Sequence, residues 1–160
     1  METTKVVPKL LILRGPSRQD NIAFAKAKFS TWKVVSTDDY FTDKDGVVRF
    51  DANKIKDSYE YCIDEVIRLL KEGHNVVLAN NNRDLWHFKI YTLIPNLDYE
   101  VRVFRMMTHF YNTDSVRPEV INSFNRNYEA FKGAKLPNGF IVKAECQVKL
   151  APDGSLLYRR

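Results

Sequence analysis

The residues with the clearest chemical signature follow the apolar run Leu10-Leu11-Ile12-Leu13. They read Arg14-Gly15-Pro16-Ser17-Arg18-Gln19-Asp20-Asn21-Ile22. An apolar run that ends in glycine, then a short polar loop, then a helix-like pattern is the frame of a phosphate-binding loop. Such a loop needs G-x-x-x-x-G-K-[ST], so that backbone N–H groups approach phosphate, lysine reaches the outer phosphates and a hydroxyl holds Mg²⁺. Counted from Gly15, the second glycine falls on Asp20, the lysine on Asn21 and the hydroxyl on Ile22. A carboxylate stands where polyphosphate would lie, and neither cation nor metal ligand is in place. Arg14 and Arg18 flank the loop. They can hold a phosphate or an RNA backbone, or be solvated or paired with Asp20. Lys26 and Lys28 sit too far along the helix to replace the lysine. Two further polar groups follow strand-like runs: Asp38-Asp39, which can cap the turn after them, and Asn80-Asn81-Asn82, which can hydrogen-bond a base or ribose but are also ordinary loop residues. His74, His87 and His109 lie far apart, and no Cys/His spacing suggests zinc.

Elements that position these groups are legible as alternating strands and helices. Leu10 to Leu13 reads as a buried parallel strand. Ile22, Ala25 and Phe29 share a helical face, with Asp20 as a possible cap. Lys33 to Ser36 is a second strand, and Asp45-Gly46 marks a tight turn. The clearest helix has Asp51 as N-cap, the series Ile55, Tyr59, Cys62, Ile63, Val66, Leu69 and Leu70, and Gly73 beyond its end. Val76 to Ala79 is a third strand. Asp84 can cap a helix through Trp86, Ile90 and Leu93 that Pro95 ends. Tyr99 to Met106 is a fourth strand. Pro118 suits the first turn of a helix carrying Ile121, Phe124, Tyr128 and Phe131, stopped by Gly133. Phe140 to Leu150, the turn Ala151-Pro152-Asp153-Gly154 and Leu156 to Tyr158 read as a β-hairpin appended to the α/β core. The aromatics Tyr40, Phe41, Trp86, Phe124 and Tyr128 can include a stacking surface for bases, though helical spacing also suits a core.

The chain has 160 residues, enough for one domain with a substantial core. Its net charge of +5 permits an acidic partner such as RNA. Cys62 and Cys146 lie inside helix- and strand-like runs and read as reduced thiols of an intracellular protein, cytoplasmic or nuclear. Met1 to Val7 reads as a disordered lead-in without the features of a signal peptide. No stretch approaches the ~20 apolar residues of a membrane helix, so no membrane association is expected.

The strings Leu11-Ile12-Leu13-Arg14-Gly15, Ser36-Thr37-Asp38-Asp39-Tyr40-Phe41, Asp45-Gly46 with Phe50, and Asn80-Asn81-Asn82 with Trp86 and Tyr91 resemble the polynucleotide-kinase-like domain of the NEDD4-binding protein 2 group. The resemblance continues through Val101 to Arg105 and, more weakly, Asn112, Val116 and Glu119, covering roughly residues 9 to 131. It implies an α/β fold: a P-loop NTPase-like parallel sheet flanked by helices, with the C-terminal β-hairpin as an addition. It divides the chain at 1–132 and 133–160. The group is similar to kinases that move the γ-phosphate of ATP to a nucleic-acid 5′-hydroxyl. By position, Asp38 matches their general base, and Asn80 to Asn82 match a cleft segment whose carboxylate is gone here. Substrate-groove candidates are therefore Arg14, Asp38, Asp39, Asn80 and Asn82. Gly15, Arg18, Asp20, Asn21 and Ile22 are vestiges of the nucleotide site. The family's lid arginine directly before the matching Asn is replaced by Tyr111.

These departures lead to an expected pseudoenzyme with no catalytic residue, no metal and no cofactor, acting as a protein-binding or self-assembling module. One alternative is an RNA-binding protein that uses the former substrate groove. The other is an atypical ATP- and Mg-dependent 5′-polynucleotide kinase, for which Arg18 is the nearest replacement cation.

Overall fold

The computed structural model describes residues 6–107, 117–151, 153 and 155–159. Its strands are β1 (Lys9–Arg14), β2 (Lys33–Val35), β3 (Val76–Ala79), β4 (Glu100–Met106), β5 (Ala134–Lys135), β6 (Ile141–Val142), β7 (Cys146–Leu150) and β8 (Leu156–Arg159). Its helices are α1 (Arg18–Lys28), α2 (Thr37–Phe41), α3 (Ile55–Lys71) and α4 (Pro118–Arg126), with 3-10 turns at Ala52–Lys54, Leu85–His87 and Lys89–Thr92. The main sheet runs β2-β3-β1-β4-β7-β8. All of its pairings are parallel except β7 with β8. This is the expected α/β, P-loop NTPase-like sheet with a C-terminal antiparallel hairpin.

Continuous apolar runs make this sheet because both of its faces are covered. Leu10 and Ile12 of β1 join Val76 and Leu78 of β3 and Val101 and Val103 of β4 on one face, against Val66 and Leu70 of α3. Leu11 and Leu13 join Val77, Ala79, Phe104 and Val148 on the other, against Phe24 and Ala25 of α1. Each of the Val, Leu, Ile and Phe side chains among them contributes about 1.5–3 kcal/mol by leaving water. Register is close between neighbours, Leu11 lying opposite Val77 and Arg102.

Several local expectations change. Ser17 caps α1, its Oγ accepting from the Asp20 N–H, so the helix starts earlier than a cap at Asp20 implies. Asp51 caps the 3-10 turn Ala52–Lys54, and α3 begins after it. The expected helix through Trp86, Ile90 and Leu93 is two 3-10 turns. The residues drawn inward are Phe88, Tyr91 and Ile94, three apart, while Trp86, Ile90 and Leu93 are exposed. A step of three is the 3-10 period. Helix α4 ends at Arg126, short of Tyr128 and Phe131. The Asn127 side-chain amide donates to the Ser123 carbonyl, competing with continuation of the helix. Phe140 to Leu150 is not one strand. It splits into β6, which pairs with β5, and β7, which lies parallel beside β4 and so extends the main sheet. The Asp45-Gly46 turn forms as expected, Gly46 taking φ +81° and Thr42 bridging Val48.

Met1 to Lys5, the expected lid position around Tyr111 with His109, Asn112 and Val116, and Pro152 and Gly154 of the expected turn lie outside the described residues. Among the described residues, no helix is long and apolar enough to cross a membrane.

Candidate functional site

The polar groups singled out from sequence gather at the C-terminal ends of β1, β2 and β3, where sites of open α/β sheets form. Between β1 and α1 there is only Gly15-Pro16-Ser17. Asp20, Asn21 and Ile22 are therefore inside the first turns of α1, not in a loop. The Gly15 N–H donates to the Asn81 carbonyl at 3.1 Å, joining the ends of β1 and β3. The buried Asn21 amide donates to the carbonyls of Asn80 at 3.1 Å and Gly15 at 3.4 Å. A Cβ on Gly15 would lie 2.9 Å from Asn21 Oδ1 and 3.1 Å from the Met106 Cβ. The space beside Gly15 is thus taken by protein. Ile22 packs on the apolar face of α1.

Asn80 is committed to structure. Its Oδ1 accepts from the Ser36 hydroxyl at 3.1 Å, the Thr37 N–H at 2.9 Å and the Thr37 hydroxyl at 3.2 Å, which ties β3 to the start of α2. Asn82 adopts φ +49°, and its amide donates to the Leu13 carbonyl at 2.8 Å. Asp39 closes a capping box with Ser36. Asp38, the expected vestigial base, is ion-paired with Arg18. Asn81 differs: its Oδ1 is shielded from water and has no hydrogen-bond partner among the described residues.

Arg14 turns away from the loop it flanks. It is completely buried, donating from Nε to the Asn82 carbonyl at 2.6 Å, from Nη2 to the Arg83 carbonyl and from Nη1 to Glu145 Oε1 at 2.9 Å. The guanidinium stacks on Phe88 and Tyr128, its carbon 4.7 and 4.2 Å from the ring centres. Glu145 also accepts from the Tyr128 hydroxyl and from the Phe131 N–H. Burial pulls the Arg14 pKa down, opposed by Tyr128 and Glu145. Burial, then the Glu145 hydrogen bond, raises that of Tyr128. Neither a phosphate contact nor a pairing with Asp20 is the role of Arg14; it holds the wall of the site.

In front of this wall lies a cleft of about 460 Å³, lined by Arg18, Tyr59, Asn81, Arg83, His87 and Phe124 among others. Tyr59, His87 and Phe124 make part of its lining aromatic, and Trp86 adjoins the first two from outside. Trp86, 64% exposed, lies 4.1 Å from the His87 ring and 6.1 Å from Tyr59, and Tyr59 and His87 are stacked at 5.9 Å with 30° between planes. His87 Nδ1 accepts from the Asp84 N–H at 3.2 Å, and burial lowers the imidazole pKa. Arg83 pairs with Asp84. From sequence, Tyr59 falls in the apolar series of the long helix and His87 is weighed only as a zinc ligand, so neither is a cleft candidate there, although His87 directly follows Trp86 near the asparagine run. Glu145 was missed as well. Its signal was a lone carboxylate inside the apolar stretch Phe140 to Leu150. Among the described residues, no group of three acidic, His or Cys side chains is placed to hold a metal ion.

No family model matches the chain, and no curated protein matches it. Solved structures do. A chain of the Pnkp1/Rnl/Hen1 complex is similar at 26% identity and a TM-score of 0.49, covering 64% of this chain and 37% of that one. A second structure, described as the Pnkp1/Rnl/Hen1 RNA repair complex, gives 26% identity and a TM-score of 0.47, covering 62% and 34%. This chain thus spans about a third of the length of the chains it resembles.

Proposed function

We propose that this chain is a non-catalytic domain related to the polynucleotide-kinase-like domains of the NEDD4-binding protein 2 group, and that its cleft binds single-stranded nucleic acid, RNA in particular. One contrast carries the reading. The nucleotide side is filled by Asn21 and by the early start of α1, while the substrate side stays open with a partly aromatic lining. The residues present do not fit a triphosphate and its metal: the loop is only Gly15-Pro16-Ser17, and the lysine and hydroxyl positions are Asn21 and Ile22. Phosphoryl transfer depends on positioning and on charge neutralisation, and losing one such group alone costs roughly 10³–10⁵ in rate. Asp38, held by Arg18, has no phosphate to serve.

The open side suits a base and its sugar. Trp86, Tyr59 and His87 offer ring faces, and Arg18 and Arg83 provide charge at the lining. Base stacking on aromatic side chains is worth about 1–3 kcal/mol per base. A location inside the cell, cytoplasmic or nuclear, goes with this reading.

The test is anisotropy of a labelled single-stranded RNA titrated with the protein, followed by Trp86→Ala and Tyr59→Leu. Binding weakened by each variant supports the proposal. No binding at low salt removes it. Transfer of the γ-phosphate of ATP to an RNA 5′-hydroxyl, abolished by Asp38→Ala, would replace it with an active kinase.

A further inference from the structure

A second groove, of about 430 Å³, lies away from the cleft, at the N-terminal ends of β1 and β4. Its apolar wall comes from Phe29, Trp32 and Phe104, and its outer lip from Phe140 and Ile141, which are 38% and 70% exposed. Around the apolar part stand three exposed cations, Lys9, Arg102 and Lys143, and one carboxylate, Glu100. None of the three cations has an ion-pair partner among the described residues. That differs from the cleft, where Arg18 and Arg83 are both paired.

We propose that this groove is a docking site for an acidic peptide segment of a protein partner, with one aromatic or aliphatic side chain inserted between Trp32 and Phe140. Charge complementarity selects the occupant: three unpaired cations against one acid call for flanking carboxylates. The packing of the wall selects a side chain over a stack of bases. Phe29 meets Trp32 edge-on, 5.0 Å apart with 64° between planes, and meets Phe104 at 6.4 Å and 56°. Those rings are turned toward each other and leave an apolar notch, not a row of parallel faces for bases. Glu100 at the groove lining can accept from a peptide N–H. The chain's own undescribed segments lack the needed charge. Residues 1–5 hold one acid and one lysine, and residues 108–116 a single aspartate. A second copy, at net charge +5, is repelled as a whole.

The experiment uses a fluorescein-labelled acidic peptide of Asp and Glu with one central Phe, titrated with the full chain. A matched peptide has Gly in place of the Phe. The Phe peptide is expected to bind and the Gly peptide to bind at least tenfold more weakly. Arg102→Glu with Lys143→Glu is expected to weaken the Phe peptide by roughly tenfold or more, and Trp86→Ala to leave it unchanged. The thermal transition of each variant is checked. Should the double charge reversal not fold, Phe140→Ala and Lys9→Glu, both at exposed positions, carry the same expectation. Equal affinity for the two peptides would reduce the groove to a polyanion patch and overturn the proposal. So would full competition by a single-stranded RNA, or dimerisation in sedimentation that Arg102→Glu abolishes.

Discussion

Arg14 shows how a residue can stand at a functional position and have a structural role. A surface arginine beside a phosphate loop exchanges partners freely; this one is sealed between Phe88 and Tyr128, its charge met by Glu145 and two carbonyls. Removing one partner of a buried pair leaves the other uncompensated, at about 3–5 kcal/mol. Arg14→Ala is therefore expected to lower unfolding free energy in urea by that order. Arg14→Lys should not rescue it, because an ammonium cannot hold the three directed contacts while stacked between rings. A lysine variant as stable as the parent would show that the node is not what holds the wall. Cys62 gives a pH prediction. Burial is the main cause that pushes its thiol from an ordinary 9.0 up to about 12, with Asn80 hydrogen bonding opposing. The unfolded chain loses this proton first, so the contribution is whole below pH 9 and is lost as pH rises toward 12. The slope is at most about 1.4 kcal/mol per pH unit. Cys62→Ala should flatten the stability profile above pH 9 in denaturant titrations. An unchanged slope would assign the alkaline loss to the tyrosines. At this scale the sequence located Asp38, Arg18 and the asparagines, because residue types near strand ends are local information. Partners such as Glu145 come from far along the chain, and no local pattern announced them.

At the scale of elements, the decisive feature is where α1 begins. A phosphate-wrapping loop needs a stretch of backbone with N–H groups free to turn inward. Here Ser17 caps the helix at once, and the Asp20 and Asn21 N–H groups already bond to Ser17. Restoring the motif by side chains alone should then fail. The triple change Asp20→Gly, Asn21→Lys and Ile22→Ser is expected to show no heat with Mg-ATP in calorimetry, because the element and not just its residues has changed. Micromolar binding by that variant would mean the loop can reopen, and that the three side chains alone had closed it. The strands and α3 were legible because continuous apolar runs and three-and-four spacing are strong signals. The segment from Leu85 to Thr92 was misread, since a face of Trp86, Ile90 and Leu93 satisfies helical spacing as well as Phe88, Tyr91 and Ile94 satisfy the 3-10 period. Only tertiary packing chooses between them. Likewise, the pairing of β7 beside β4 depends on a sheet edge that sequence pattern does not reveal.

For the whole molecule, the net charge of +5 permits two modes of nucleic-acid binding that differ in their response to salt. Diffuse attraction over the basic surface would release many counterions, whereas binding in the cleft would release few. Among the described residues only Arg18 and Arg83 supply positive charge at its lining, each is already paired, and Glu119 lines it as well. For single strands, the logarithm of the affinity falls with that of the salt concentration by about 0.7 per phosphate neutralised. Two arginines thus set a slope of about −1.4 or shallower. Most of the affinity should come from stacking on Trp86, so Trp86→Ala is expected to cost about 1–3 kcal/mol while leaving the slope unchanged. Arg18→Ala with Arg83→Ala should flatten the slope with a smaller loss of affinity at high salt. Anisotropy titrations across a salt series separate the two modes. A slope near −3 that is insensitive to the arginine pair and to Trp86 would place the RNA on the general surface and remove the cleft from the account. A shallow slope that Trp86→Ala leaves in place, with affinity reduced, would tie binding to the aromatic side of the cleft.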